Sequence, residues 1–281
     1  MRKVNLFMVG AAKSGTTTLH KILASHPDIY AGPSKEPHFF VADQFQPNPR
    51  FAPNTCLTEE KYQANYAKAT TERYLLDSSV HYMAYPGTEQ RLYAYNPHAK
   101  IIFALRHPVD RLYSHYKMLR KEGVTRLSFE DFLKKPVDDN KVDLMAHSFY
   151  SQRITEYQTA FGKANVLIVL FGELRGDQTL LREKLARFLG ITPFEPMMTE
   201  HENVSALPKN EVLRYLHMDF PLTIWLKRIV PKNALRAKLG QWIIATFYEN
   251  RSMNPETRQH LNRVFAEELA TLAAMGITFE R

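Results

Sequence analysis

The stretch "GAAKSGTTTLH", residues 10–20, comes close to a nucleotide-binding loop. The phosphate loop of P-loop NTPases reads G-x-x-x-x-G-K-[ST]; its lysine reaches the β/γ-phosphates and its hydroxyl serves Mg²⁺. Gly10 and Gly15 keep that spacing, but Thr16 stands where the lysine belongs, and the loop's own lysine is Lys13. Upstream, "VNLFMVG" (4–10) is a mostly apolar run of strand length. Downstream, "TTTLHKILAS" (16–25) places Leu19, Ile22 and Leu23 on one helical face. Strand, glycine loop and helix together open a doubly wound α/β fold. The helix N-terminus offers N–H groups and partial positive charge to an anion. Lys13 adds a full charge, and Ser14, Thr16, Thr17 and Thr18 add hydroxyls around Gly15. Lacking the Walker lysine, this loop suits a smaller anion bound without a metal.

The same pattern continues along the chain. "TEEKYQANYAKA" (58–69) reads as a helix, "RYLLDSS" (73–79) as a short strand and "AKIIFALR" (99–106) as the clearest buried strand. "HPVDRLYSHYKMLRKEG" (107–123) is a helix opened by Pro108 and closed by Gly123. Ser128 and Asp131 fit a capping box for a short helix. A helix over about 145–161, a strand at "NVLIVLF" (165–171), a helix over 179–191 and one long helix over 254–276 complete the pattern. Residues 46–54, 136–143 and 192–210 read as loops. Apolar strands alternating with helices predict a P-loop-like doubly wound sheet, mostly parallel, with helices on both faces. The ligand is expected outside the carboxyl ends of the strands.

A chain of 281 residues is long enough for one large domain, taken here as 1–281. Its 44% hydrophobic and 23% charged residues are those of a soluble globular protein. The net charge of +8 suits an anionic ligand. No Lys/Arg run of five occurs, so a nucleic-acid partner is not expected. The apolar run from Val4 to Ala12 is short, contains Asn5 and leads straight into a patterned loop and helix, so it reads as a buried strand rather than a signal peptide, and no stretch approaches the ~18 apolar residues of a membrane span. The single cysteine, Cys56, excludes a disulfide framework and a Cys-rich zinc site, and points to a reducing, cytoplasmic setting. The eleven histidines show no metal-binding spacing.

A second constellation lies in "ALRHPVDRLYSHY" (104–116). Arg106 closes a buried strand, and Ser114 follows eight positions later on the next helix. A guanidinium fork and a hydroxyl so placed can hold a second phosphate, though a strand-end arginine is as often a surface ion pair. With "KSGTTTL" (13–19) and "LRHPVDRLYSHY" (105–116) in this order, the chain resembles the sulfotransferases that use 3′-phosphoadenosine 5′-phosphosulfate (PAPS). "HPDIYAGPSKEPHFF" (26–40), "FLGI" and "NPETRQHLNRVF" are similar to segments of the heparan-sulfate-like and bacterial branch.

The resemblance implies sulfuryl transfer from PAPS to a hydroxyl or an amine of a small molecule or saccharide, with release of PAP and no metal. Lys13 would neutralise the leaving group, with Ser14, Gly15, Thr16, Thr17 and Thr18 around it. Arg106 and Ser114, with Ser205 and Lys209 from a late loop, would hold the 3′-phosphate. Glu36 falls on the family's acidic base position, with His38 in support. A purely structural ion pair of Glu36 with Lys35 or Lys13 stays open, as do His38 and His81 as bases. The chain departs from glycan-modifying members at "DSSVHYM" (77–83), where Ser78 replaces a second lysine. Those members also carry a membrane anchor and a C-terminal cysteine pair that are not seen here.

Two other classes compete. A small-molecule kinase with a P-loop needs a lysine at position 16 and an acid for Mg²⁺, and neither is found. A membrane-surface protein would use "WLKRIVPKNALRAKLGQWII" (225–244), which is basic with two Trp but is interrupted by Pro231.

Overall fold

The computed structural model describes residues 2–44, 54–136, 143–195, 207–208, 248–249 and 251–279. Most of the loops expected at 46–54, 136–143 and 192–210, and all of the basic segment 225–244, Ser205 and Lys209, lie outside them. The chain divides into two compact units. One comprises Met1–Arg111, Met145–Glu202 and Phe265–Arg281; the other comprises Leu112–Leu144 and Asn203–Val264.

The first unit is built on five strands: β1 (Leu6–Gly10), β2 (Ile29–Tyr30), β3 (Tyr74–Asp77), β4 (Lys100–Leu105) and β5 (Val166–Leu170). They pair in the order β2-β3-β1-β4-β5, and every pairing is parallel. The chain runs outward from β1 on one side and then crosses to β4 on the other. β1 is therefore the topological switch point, and the crevice at its carboxyl end is the expected ligand site.

Successive strand residues serve opposite faces, which explains the near-continuous apolar runs. Phe7, Val9, Ile101, Phe103 and Leu105 join one core. Leu6, Met8, Ile102 and Ala104 join the other. Helices α1 (Thr16–Ala24) and α7 (Thr179–Leu189) cover the second face through Leu19, Ile22, Leu23, Leu181, Leu185 and Leu189. On the first face lie α2 (Glu59–Ala64), α3 (Thr88–Tyr95), α6 (Ser151–Phe161) and α9 (Ala266–Ala274), whose Tyr62, Leu92, Ile154, Tyr157 and Leu272 are fully buried. The predicted sheet with helices on both faces is what forms.

The second unit has its own apolar contacts. α4 (Pro108–Glu122) enters it from Leu112 onward, and α5 (Phe129–Phe132) follows. The ring of Tyr116 packs at 4.9 Å from Phe129 and 5.3 Å from Phe132. Ser128 caps α5 as its sequence suggests, accepting from the Asp131 N–H. A short antiparallel ladder joins β6 (Leu207–Pro208) and β7 (Tyr248–Glu249), and α8 (Pro255–Val264) follows.

Several boundaries differ from expectation. The single helix expected over 254–276 is two, α8 and α9, because Phe265 leaves helical geometry at φ −93° and ψ 9° and its ring is wholly buried, against Phe149. The helix expected from about 145 begins at Ser151, after a 3-10 turn at Ala146–Ser148. β2 and α3 were not expected. β2 is too short for alternation to show, and α3 buries little besides Leu92, Thr88 and Glu89. Among the described residues, no helix is long and apolar enough to cross a membrane.

β3 ends on a wholly buried acid, Asp77. Tyr62 and Tyr82 donate their hydroxyls to Oδ2 at 2.9 and 2.8 Å, and Ser79 donates to Oδ1 at 2.6 Å. Burial pushes this carboxyl up to about 6, and the three hydroxyl donors hold it from rising further. Between pH 4 and 6 the folded chain keeps a proton here that the unfolded chain has released. Asp77 therefore lowers stability as pH rises through this window, and adds no slope above it. The stability difference between wild type and Asp77→Asn, read from urea midpoints, should shift against wild type from pH 4 to about 6 and then stay constant. A difference flat across that window would show that Asp77 does not titrate there.

Candidate functional site

The loop between β1 and α1 fits tightly into the first unit. Gly10 has φ 147°, and a Cβ there would lie 2.5 Å from Met83 and 2.9 Å from the Val80 carbonyl. Gly15 caps α1 at φ 81°, where a Cβ would meet Leu174 at 2.6 Å and Phe171 at 3.1 Å. Both positions thus require glycine for conformation and for space. No side chain caps α1, and no acid sits in its first turn. Its leading N–H groups have no intrahelical partners, so the end is suited to an anion. Within the loop, the Ser14 hydroxyl is fully buried without a hydrogen-bond partner. A buried orphan hydroxyl is costly, and a bound oxyanion would satisfy it. These features fit a phosphate or phosphosulfate group.

Arg106 leaves the end of β4 and reaches this loop. Its Nη1 donates to the Lys13 carbonyl at 3.5 Å. Its guanidinium lies 4.5 Å from the centre of the Phe171 ring, and Tyr150 donates its hydroxyl to the Arg106 carbonyl at 2.9 Å. Arg175 lies over the same Phe171 ring at 5.2 Å. Ser114 is buried on α4, within the second unit.

The segment after β2 supplies the acidic group. Lys35 Nζ donates to Glu36 Oε1 at 2.8 Å and to Thr17 Oγ1, in the first turn of α1, at 3.3 Å. Glu36 Oε2 lies 3.8 Å from His38 Nε2. Burial works against the Glu36 charge, but the charge and hydrogen bond of Lys35 outweigh it and hold the carboxyl below its ordinary value. His38 is buried, with its ring centre 5.2 Å from that of His81. Burial, then the neighbouring His81, push His38 down to about 3, so near neutral pH it is an uncharged imidazole. The His38 N–H donates to Ser79 Oγ at 2.9 Å, which ties this segment to Asp77 and the end of β3.

Among the described residues, three non-glycine residues have positive φ: Lys13 at 70°, Glu36 at 61° and His38 at 48°. They are the three residues to which the family resemblance gives a catalytic part, with His81 as the alternative base. Non-glycine residues in this region carry strain that the surroundings must compensate, and such strain gathers at functional sites.

The structure therefore brings Lys13, Ser14, Gly15, Thr16, Thr17, Thr18 and Arg106 to one loop, and links Glu36 and His38 to it through Lys35. The ion pair of Glu36 with Lys35 forms, as one reading of the sequence allowed. Ser78, at the position of the missing lysine, hydrogen-bonds His20 of α1 at 2.8 Å between Oγ and Nδ1. Lys35 was foreseen only as an ion-pair partner of Glu36; His20, Ser79 and Asp77 were not foreseen as parts of this arrangement. Only the polar ending of β3 hinted at the last two.

The family described as Sulfotransferase domain matches residues 3–273. The human bifunctional heparan sulfate N-deacetylase/N-sulfotransferase 2 is 29% identical over 203 residues, covering 69% of this chain and 22% of that protein. The chain thus spans about a fifth of that relative's length. A crystal structure of a sulfotransferase from Alicyclobacillus acidocaldarius is 29% identical with a TM-score of 0.71, covering 98% of this chain and 96% of that one. Mouse sulfotransferase SULT7A1 complexed with PAP is 17% identical with a TM-score of 0.51, covering 95% of this chain and 84% of that one, a likeness of fold. With a match that takes in the loop, Glu36, Arg106 and Ser114, the chain belongs to the sulfotransferase domain family.

Proposed function

We propose that this chain transfers a sulfuryl group from PAPS to a hydroxyl or an amine of a small molecule or saccharide and releases PAP. The observation that carries the reading is the Glu36 carboxylate standing one lysine away from the uncapped first turn of α1. A proton acceptor beside an anion-binding helix end is what transfer from an anionic donor to a protonated nucleophile requires. The PAP complex of the mouse structural relative supports the choice of nucleotide. The name of the human relative makes an amine-bearing saccharide the first acceptor to try. The match over 3–273 supports treating the whole chain as one sulfotransferase domain. Cys56 is free and buried, which fits work in a reducing cytoplasm.

PAPS supplies an activated sulfuryl group on a phosphate leaving group. The N–H groups of α1 and the hydroxyls of Ser14, Thr16, Thr17 and Thr18 would hold its phosphosulfate. Lys13 would neutralise the oxygen on which charge develops as the S–O bond breaks. Arg106 and Ser114, with Ser205 and Lys209 from outside the described residues, would hold the 3′-phosphate. Glu36 takes the proton from the acceptor as its heteroatom bonds to sulfur. The electron pair of the broken S–O bond stays on the phosphate oxygen. His38, neutral and with its Nε2 3.8 Å from Glu36 Oε2, would support the carboxylate. A kinase reading is not favoured, because Thr16 occupies the lysine position of the loop.

Radiolabelled PAPS should give labelled product with N-deacetylated heparosan or with a phenol, and calorimetry should show binding of PAP but not of ATP with Mg²⁺. Tight ATP–Mg²⁺ binding without PAP binding would return the kinase. Glu36→Gln keeps the shape and removes the basicity; it should fold, bind PAP normally and lose roughly 10²–10⁴-fold in turnover. An active Glu36→Gln alongside an inactive His38→Ala or His81→Ala would move the base to that histidine. Arg106→Ala should weaken PAP by roughly 2–4 kcal/mol and leave adenosine 5′-phosphosulfate, which has no 3′-phosphate, unaffected. Equal weakening of both ligands would remove Arg106 from the 3′-phosphate.

A further inference from the structure

Lys35 and Glu36 are neighbours in sequence, and side chains at successive positions of an extended chain point to opposite sides. The left-handed backbone at Glu36 and His38 breaks that alternation. The Lys35 ammonium therefore meets the Glu36 carboxylate at 2.8 Å and the Thr17 hydroxyl at 3.3 Å. The two side chains of the pair are only 25% and 30% exposed, unlike a solvated surface pair. His20 from α1, His38, and His81 from beyond β3 face the same group of atoms. Burial and then the Lys35 charge push His20 down to about 4, and His38 lies at about 3. Near neutral pH both rings are uncharged, so neither competes with Lys35 as a cation beside the first turn of α1.

We propose that Lys35 is a second catalytic cation of sulfuryl transfer, its ammonium meeting the donor's sulfonate oxygens at the first turn of α1 while still facing Glu36. This rests on the reading of α1 as the phosphosulfate site and of Glu36 as the base. During transfer the acceptor's proton goes to Glu36, the acceptor heteroatom bonds to sulfur, and the S–O bond to the donor phosphate breaks with its electron pair left on the phosphate oxygen. Negative charge is lost at Glu36 and appears at the donor. An ammonium touching both the carboxylate and the helix end lies between the origin of that charge and its destination. Its pull on the donor side strengthens as the carboxylate is neutralised. An interaction that grows toward the transition state raises the rate, whereas one that is equal throughout does not. Ser78, hydrogen-bonded to His20 at the end of β3, brings no charge of its own to this group.

The test is equilibrium binding of PAPS and of PAP to wild type, Lys35→Met and Lys35→Arg, with release of labelled sulfate from PAPS to water as a second readout. Lys35→Met should bind PAPS about tenfold more weakly and PAP within about threefold of wild type, which also shows that it folds. Lys35→Arg should keep both within about threefold. In a Glu36→Gln background, Lys35→Met should slow sulfate release by about a further tenfold, since the cation acts on the donor and not only through the carboxylate. Unchanged PAPS affinity in Lys35→Met, equal losses for PAPS and PAP, or no further loss in the double variant overturns the proposal. A wild type that binds neither nucleotide overturns the donor reading as well. A fully active Glu36→Gln removes Glu36 as base, while the contrast between PAPS and PAP still decides the role of Lys35.

Discussion

An α-helix cannot pair its own first N–H groups, and in this chain the unpaired end of α1 sits at the switch point of a parallel sheet. The other features of the site answer to that constraint. Gly10 and Gly15 leave room for the loop to turn between β1 and α1. Lys13 lies within the turn rather than at its end, and Arg106 steadies its carbonyl from the neighbouring strand. Lys35 reaches the Thr17 hydroxyl in the first turn of α1. The sheet carries this arrangement because both of its faces are sealed. Strands that bury alternate residues in two separate cores have little freedom to shift register, and their carboxyl ends stay fixed relative to one another.

Strain and support are matched here. The positive φ at Lys13, Glu36 and His38 is unfavourable for residues with side chains. Each is met by a specific hydrogen bond to the backbone of its segment. Arg106 donates to the Lys13 carbonyl. Asn54 donates to the Lys35 carbonyl at 3.1 Å, and the Cys56 N–H donates to the Pro37 carbonyl at 2.7 Å. Ser79, itself anchored on Asp77, receives the His38 N–H. Asp77 is thus buried for a reason beyond packing. Its carboxylate gathers two tyrosines and a serine, and through the serine fixes a backbone that would otherwise relax.

Apart from β2 and α3, the sheet and its flanking helices were legible because the longer strands are uninterrupted apolar runs and α1 and α7 carry clear helical signals. The split at Phe265 was not, since Phe fits the helical period and only its burial against Phe149 breaks the helix. Lys13, Glu36 and Arg106 stood out in ordered motifs as candidate site residues. The place of Lys35 did not. Beside an acid, a lysine reads as a surface pair until the left-handed turn brings both side chains toward α1. The hydroxyl relay from Asp77 to His38 depends on contacts 41 residues apart along the chain, between Ser79 and His38, which no local pattern encodes.

Phe171, just past β5, touches both anion-facing elements. One edge of its ring closes the space beside Gly15, and its face carries the Arg106 guanidinium. The ring behaves as a gauge block set between two jaws, one the loop and the other the arginine. A smaller side chain there would let the jaws close, and a larger one would force them apart. Under the proposed function, the span between the two phosphates of the donor would be set by the thickness of this apolar ring.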